Sequence, residues 1–192
     1  MSQLSLFGAQ AREPALADLE GLLAGNGQVV RRGDAARVSV VVEEQWRVDV
    51  IARELTQAFG FDADIADAET GKAVGTPWLP ELRALADSWT RGAVKYPPTG
   101  WALDGLRLRW WALSSGHSAN GMYIFSLGPN DEHAWLAIGS ALAVAGLPGL
   151  LVGPRADGPA YRIVGRRRLL RLLELVGDRP DGVPADAWPE LN

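Results

Sequence analysis

The order helix, hairpin, helix, hairpin, helix is written twice along this sequence, and that duplication restricts the fold more than any single motif does. In the first pass, Pro14 to Asn26 has apolar residues at helical spacing (Leu16, Leu19, Leu22, Leu23) and stops at Gly27. Gln28 to Arg32 and Ala36 to Val42 read as strands joined at Gly33-Asp34. Trp46 to Phe59 returns to helical period, with Val50, Ile51, Leu55 and Ala58 on one face and Gly60 at its end. Phe61 to Asp67 alternates as a half-buried strand does, Thr70-Gly71 turns it, and Leu79 to Trp89 is a third helix.

The second pass keeps that order. Leu103 to Ser115 is helical up to Gly116, Asn120-Gly121 is a strong hairpin turn, and Met122 to Leu127 is a strand. Asp131 to Ala145 is a helix ending at Gly146. Leu150 to Arg155 and Ala160 to Val164 flank a turn at Asp157-Gly158-Pro159, and Arg166 to Val176 closes at Gly177. The segment ELTQAFGFDADI from Glu54 aligns with SALAVAGLPGLL from Ser140. Each such unit exposes an apolar sheet face and an apolar helix stripe, so two units should pack together about a pseudo-twofold axis. The expected fold is α/β in the α+β sense: two tandem αββαββα units. An N-terminal peptide and spacer (1–13) precede unit 1 (14–95), a Pro-rich linker (96–100), unit 2 (101–178) and a C-terminal tail (179–192).

A chain of 192 residues can bury a core without staples, and with no cysteine it has no disulfide, thiol nucleophile or thiolate zinc site. The start MSQLSLFGAQAREP has neither the basic nor the apolar region of a signal peptide. The apolar stretch Trp135 to Leu151 is short and interrupted by Gly and Pro, so no membrane partner and a cytoplasmic location are expected. The net charge of -4 argues against indiscriminate nucleic-acid binding, but the charges are segregated. Residues 28–42 carry Arg31, Arg32 and Arg37 against Asp34, and residues 155–171 carry Arg155, Arg162, Arg166, Arg167, Arg168 and Arg171 against Asp157. The acids concentrate between Glu43 and Glu69. A local basic surface on an acidic protein is compatible with that pattern.

The segment LEGLLAGNG, Leu19 to Gly27, resembles the LAGLIDADG motif of homing endonucleases, with Leu19, Gly21, Leu22 and Gly27 matching directly. The αββαββα order of each half is also that family's, and the flavour is nearest to the endonuclease-like domain of the sporulation regulator WhiA, whose motifs are degenerate. The resemblance implies that the two motif helices meet at the pseudo-dyad, small residues allowing close approach, and that the acid before the last glycine holds Mg²⁺. Here those metal positions are Asn26 and, in the better alignment, Ser115. Neither is an anionic ligand, so the resemblance implies a degenerate site with no metal, no cofactor and no hydrolysis. In that alignment Trp110 falls at the close-packing position. A second register restores a glycine at Gly105 and leaves Trp110 at the metal position, and both registers lose the acid.

Other chemistry is sparse. His133 beside Glu132 reads as a solvated or core-edge histidine, whereas His117 lies just past the second motif glycine. Ser114-Ser115 near His117 has no third group or oxyanion hole. Asp62 and Asp64 face one way along a strand and read as a solvated face. Of the eight tryptophans, Trp46, Trp89 and Trp135 read as core, and one of Trp110-Trp111 should line the interface between units.

In the family the hairpins of both units form a saddle in the major groove. A DNA-binding reading therefore assigns Arg31, Arg32 and Arg37 to the first hairpin and Arg155 and Arg162 to the late hairpin of unit 2. Asp62, Asp64, Asp67 and Glu69 on the late hairpin of unit 1 oppose it. Outside the repeat, Gln3-Leu4-Ser5-Leu6-Phe7 resembles the peptide by which bacterial replication and repair proteins dock on the sliding clamp. The expected function is a non-catalytic accessory protein of DNA replication or repair, recruited by the clamp and touching duplex DNA. The alternative is a WhiA-like regulatory module without DNA affinity.

Overall fold

The computed structural model describes residues 8, 9, 12–154 and 158–191, so the peptide Gln3 to Phe7 and Arg155 lie outside the described residues. A one-turn 3-10 helix, Leu16–Leu19, leads into α1 (Glu20–Ala24). Then come β1 (Gln28–Arg32), β2 (Ala35–Val42), α2 (Gln45–Phe59), β3 (Asp64–Ala68) and β4 (Gly71–Gly75). A turn at Pro80–Leu82 opens α3 (Arg83–Trp89), followed by the short strands β5 (Thr90–Arg91) and β6 (Val94–Lys95). The second pass comprises α4 (Gly105–Ser115), β7 (Gly116–Ala119), β8 (Met122–Ser126), α5 (Glu132–Val144), β9 (Leu150–Val152), β10 (Ala160–Val164) and α6 (Arg166–Val176).

Two antiparallel four-stranded sheets result, ordered β1-β2-β4-β3 and β7-β8-β10-β9. In both, the two hairpins join through their second strands, so the duplication read in the sequence is the duplication of the fold. At Asn120-Gly121 the left-handed φ values of 51° and 73° are those of the tight turn whose twist matches a hairpin. Asp104 starts α4 by accepting the Arg107 N–H at 3.0 Å.

The strand expected from Phe61 begins only at Asp64. Phe61 stacks on Phe59 at 5.7 Å across the Gly60 turn, and Phe59 in turn stacks on Trp110 at 6.1 Å. That aromatic pile holds residues 61–63 on the end of α2 instead of in the sheet. Asp62 is therefore not on a strand with Asp64.

Along the inner strands β2, β4, β8 and β10 one parity is buried under helices: Val38, Val40, Val42 and Val74 in the first sheet, Tyr123, Phe125, Tyr161 and Ile163 in the second. The units join through α1 and α4. A Cβ on Gly21 would lie 1.9 Å from the Arg107 carbonyl oxygen, and one on Gly25 would lie 2.9 Å from Trp111 Nε1. Glu20 seals the contact, accepting from Arg107 Nε at 2.8 Å and Trp101 Nε1 at 2.9 Å. Gly105, by contrast, packs on Leu175 and Ala9, away from α1, and Ser115 is the last residue of α4 before β7. This selects the register in which Ser115 matches Asn26. Trp111, fully buried, meets Gly25 beyond α1, and the buried Trp110 stacks on Phe59 of α2, so both tryptophans stand between the units, whereas Trp46 is half-buried.

Residues 179–191 fold back onto unit 2 and onto α2 of unit 1, where Arg53 donates to the Asp181 carbonyl and Gly182 lies beside Val50. Trp188 is buried, its Nε1 donates to the Gly177 carbonyl at 3.2 Å, and the Tyr123 hydroxyl donates to the Ala187 carbonyl at 3.1 Å. Among the described residues no helix is long and apolar enough to cross a membrane.

Candidate nucleic-acid interface

Strand parity decides which side chains stand on the faces that helices leave open. On the first sheet these are Gln28, Val30 and Arg32 of β1, Ala35, Arg37, Ser39 and Val41 of β2, and Asp64 of β3. On the second sheet one row crosses all four strands: His117, Ile124, Arg162 and Leu150. Three of the arginines singled out in the sequence, Arg32, Arg37 and Arg162, thus share the helix-free faces.

Arg31 has the opposite parity. Its guanidinium turns toward α3, donating to Asp87 at 3.0 Å and to the Gly92 carbonyl at 3.1 Å. Hydrogen bonds from Arg31 and Arg83 hold the Asp87 carboxyl below its ordinary range. Arg32 lies over the Trp78 ring at 4.2 Å and Arg37 over the same ring at 5.4 Å, so an indole spaces the two cations. Arg37 is also bound to Asp64 at 2.8 Å, which cancels one acid and engages one arginine. Asp67 has the other parity and pairs with Lys72, whose hydrogen bond lowers its pKa. The acidic hairpin is therefore less repulsive to phosphate than its composition indicates. The open face of the second sheet is mostly apolar, with Leu150 64% exposed and Val164 45% exposed.

The ends of the two motif helices carry the second feature. An α-helix finishes with unsatisfied carbonyls and partial negative charge. At the end of α1, Lys95 Nζ donates to the carbonyls of Gly25 and Gly27, both at 2.9 Å, and pairs with Asp131 at 2.7 Å. At the end of α4, Arg47 donates to the carbonyls of Leu113 at 2.7 Å and Gly116 at 2.9 Å, with Glu44 3.2 Å from its Nε. Both cations are buried. Burial pushes each pKa down; Asp131 opposes the shift at Lys95, and Glu44 opposes it at Arg47. His133, stacked on Tyr96 at 5.6 Å, has its Nε2 2.7 Å from the Lys95 carbonyl oxygen and steadies that strand. Nothing periodic or clustered in the sequence marks Lys95 or Arg47.

Asn26 and Ser115 flank this arrangement. Asn26 Nδ2 donates to the Val41 carbonyl at 3.2 Å, while its Oδ1 is buried without a hydrogen-bond partner among the described residues. Ser115 Oγ donates to the Ser126 carbonyl at 3.3 Å.

The chain is similar in fold to the homing endonuclease I-WcaI bound to its DNA recognition sequence, with a TM-score of 0.56 over 92% of this chain and 83% of that one. The sequences are 13% identical over the match, so the likeness is one of fold. No family model matches the sequence, and no curated protein does.

A nuclease of this fold implies a divalent cation at the motif-helix ends. The residues present do not fit one. The orphaned Asn26 Oδ1 is a neutral donor oxygen, the carbonyls on either side of it are taken by an ammonium, and the adjacent carboxylate, Asp131, is already paired. A divalent cation requires several hard oxygens, preferably anionic, and would here face a fixed positive charge.

Proposed function

We propose that this chain is a non-catalytic protein that contacts duplex DNA through the helix-free faces of its two sheets, and that the sliding clamp recruits it through Gln3 to Phe7. The observation that carries the DNA reading is the parity of Arg32, Arg37 and Arg162 on faces covered by no helix. A β-ribbon fits the major groove, and arginines on it hold phosphates or guanine edges. The non-catalytic reading rests on Lys95 and Arg47, which satisfy both helix ends with the protein's own cations. Clamp recruitment is supported by the sequence of residues 3–7 alone, and through it follow a bacterial replication or repair context and a cytoplasmic, nucleoid-associated location.

Binding of a labelled random duplex, followed by anisotropy across a salt series, tests the DNA reading. Counterion release makes log K fall linearly with log salt at about 0.9 per phosphate neutralised. Arg32→Gln/Arg37→Gln/Arg162→Gln should lower affinity with the fold intact; equal affinity removes the sheet faces from the interface. Plasmid incubated with Mg²⁺ or Mn²⁺ should stay uncut.

A second reading, a regulatory module that binds protein and not DNA, is favoured by the apolar row Ile124, Leu150 and the neighbouring Val164 on the second open face. A salt-independent partner interaction with no duplex affinity would establish it over the first.

A further inference from the structure

Resting on the duplex-DNA reading, we infer that Arg166, Arg167 and Arg168 form a separate anchor for the sugar-phosphate backbone, beside the open face of the second sheet. The three are consecutive, all exposed, and occupy the first turn of α6. They line an open cleft of about 550 Å³ with Gly146, Pro148, Val164 and Gly165.

Among the described residues no acid compensates this charge. None of the cleft's lining residues is acidic, and no acid stands in the first turn. Arg168 donates to the Val164 carbonyl at 3.1 Å; Arg166 and Arg167 make no ion pair with a described residue. Several other arginines are engaged within the protein: Arg31 with Asp87, Arg107 with Glu20, Arg109 with Glu54. Three cations where the helix end is already positive repel one another and the backbone N–H groups, so the arrangement suits an anion from outside.

The shape of the patch selects the kind of anion. Successive helical residues point about 100° apart, so three in a row fan out and cannot converge on one small phosphate. An extended polyanion can meet all three. Continuity says where it runs: Val164 belongs both to the open face, on the parity of Arg162, and to the cleft. A duplex lying on the second sheet therefore reaches the patch at the end of β10. The duplication provides an internal control, because the corresponding entry into α3 reads Pro80-Glu81-Leu82-Arg83, with an acid where unit 2 has arginines.

The test uses the full chain and a labelled random duplex, with affinity measured from low to moderate salt. Arg166→Gln/Arg167→Gln/Arg168→Gln keeps good helix formers in α6. It should reduce the salt slope by roughly 2 to 3 and weaken binding at least about tenfold, with circular dichroism and melting unchanged. Should that variant melt early, Arg167→Gln alone should reduce the slope by about 1, and the triple lysine variant should bind as wild type does. Wild-type slope in a folded triple variant overturns the anchor while leaving the duplex reading intact. No duplex binding by the wild type overturns both. Retention on polyglutamate but not on duplex, lost in the triple variant, would assign the patch to an acidic protein and overturn the inference.

Discussion

Gly21 and Arg107 meet backbone to backbone, so that a methyl group on Gly21 would sit 1.9 Å from the Arg107 carbonyl oxygen. A carbonyl held inside a helix cannot swing aside as a side-chain tip can. Gly21→Ala should therefore push α1 off α4 and cost about 3 kcal/mol or more in denaturant unfolding. Gly153→Ala, with no atom within 4 Å of the added carbon, should change stability by less than about 0.5 kcal/mol. Equal, small effects would mean that the helix pair is not closely packed.

Lys95 holds two carbonyls and a carboxylate from a buried position. Lys95→Met leaves Asp131 uncompensated and the end of α1 open, at a cost of roughly 3 kcal/mol. The double variant Lys95→Met/Asp131→Asn should recover part of that loss, since it removes the stranded charge. Unfolding curves of the three proteins decide the matter, and an additive double variant would contradict the coupling.

The same residue gives a pH signature. Burial pushes the Lys95 pKa below its ordinary 10.5 despite Asp131. As pH falls through the interval from 10.5 to the lower folded value, the unfolded chain takes up the proton first, so stability is lost across that window. Below the folded value this contribution is constant. Burial raises the Tyr123 pKa, which acts with the opposite sign because its ionisation favours unfolding at high pH, but that contribution is common to both proteins. The advantage of wild type over Lys95→Met should therefore fall as pH drops below 10.5 and level off once Lys95 is protonated in the folded protein.

Restoring the motif acids tests whether the cation caps matter. Asn26→Asp/Ser115→Asp supplies the two carboxylates the motif helices lack. With Lys95 and Arg47 in position, millimolar Mg²⁺ should give this variant no rise in melting temperature and no plasmid cleavage. Metal stabilisation in the presence of both caps would show that the carboxylates alone were missing.

For the N-terminal peptide, the expected docking is extended, with Leu4, Leu6 and Phe7 in apolar pockets of the clamp. Each large anchor contributes about 1.5 to 3 kcal/mol, and the cost of ordering the peptide on binding offsets part of it. A dissociation constant of order micromolar follows. Fluorescence polarisation should show binding by the full chain and by a labelled 1–13 peptide, lost in Leu4→Ala/Phe7→Ala. Equal binding by the variant, or none by wild type at high micromolar clamp, ends the recruitment proposal.

The repeat was legible because its cues are local: the glycines that end α2 and α5, the Asn120-Gly121 turn, the alternation along β2. The face taken by each arginine was not. Arg31 and Arg32 are neighbours in sequence and stand on opposite faces of one strand, so a single residue of register separates an interface candidate from a partner of Asp87. The register of the second motif was equally hidden, because Gly105 has the right identity for close packing yet meets Leu175 and Ala9. Lys95 and Arg47 escaped for a further reason. Their acceptors lie 65 to 70 positions away in the sequence, and a lone cation carries no periodicity to reveal it.

The two caps are also cross-ties. Arg47 comes from unit 1 and closes α4 of unit 2; Lys95 closes α1 of its own unit but needs Asp131 of the other. If the chain were cut between Pro97 and Pro98, each fragment would inherit half of a circuit: Arg47 without the α4 carbonyls and Lys95 without its carboxylate in one, a stranded Asp131 and bare α4 carbonyls in the other. Such halves should be poor monomers that recover solubility when mixed. The protein is thus one object, whose repeat is visible in its topology but not in any independence of its parts.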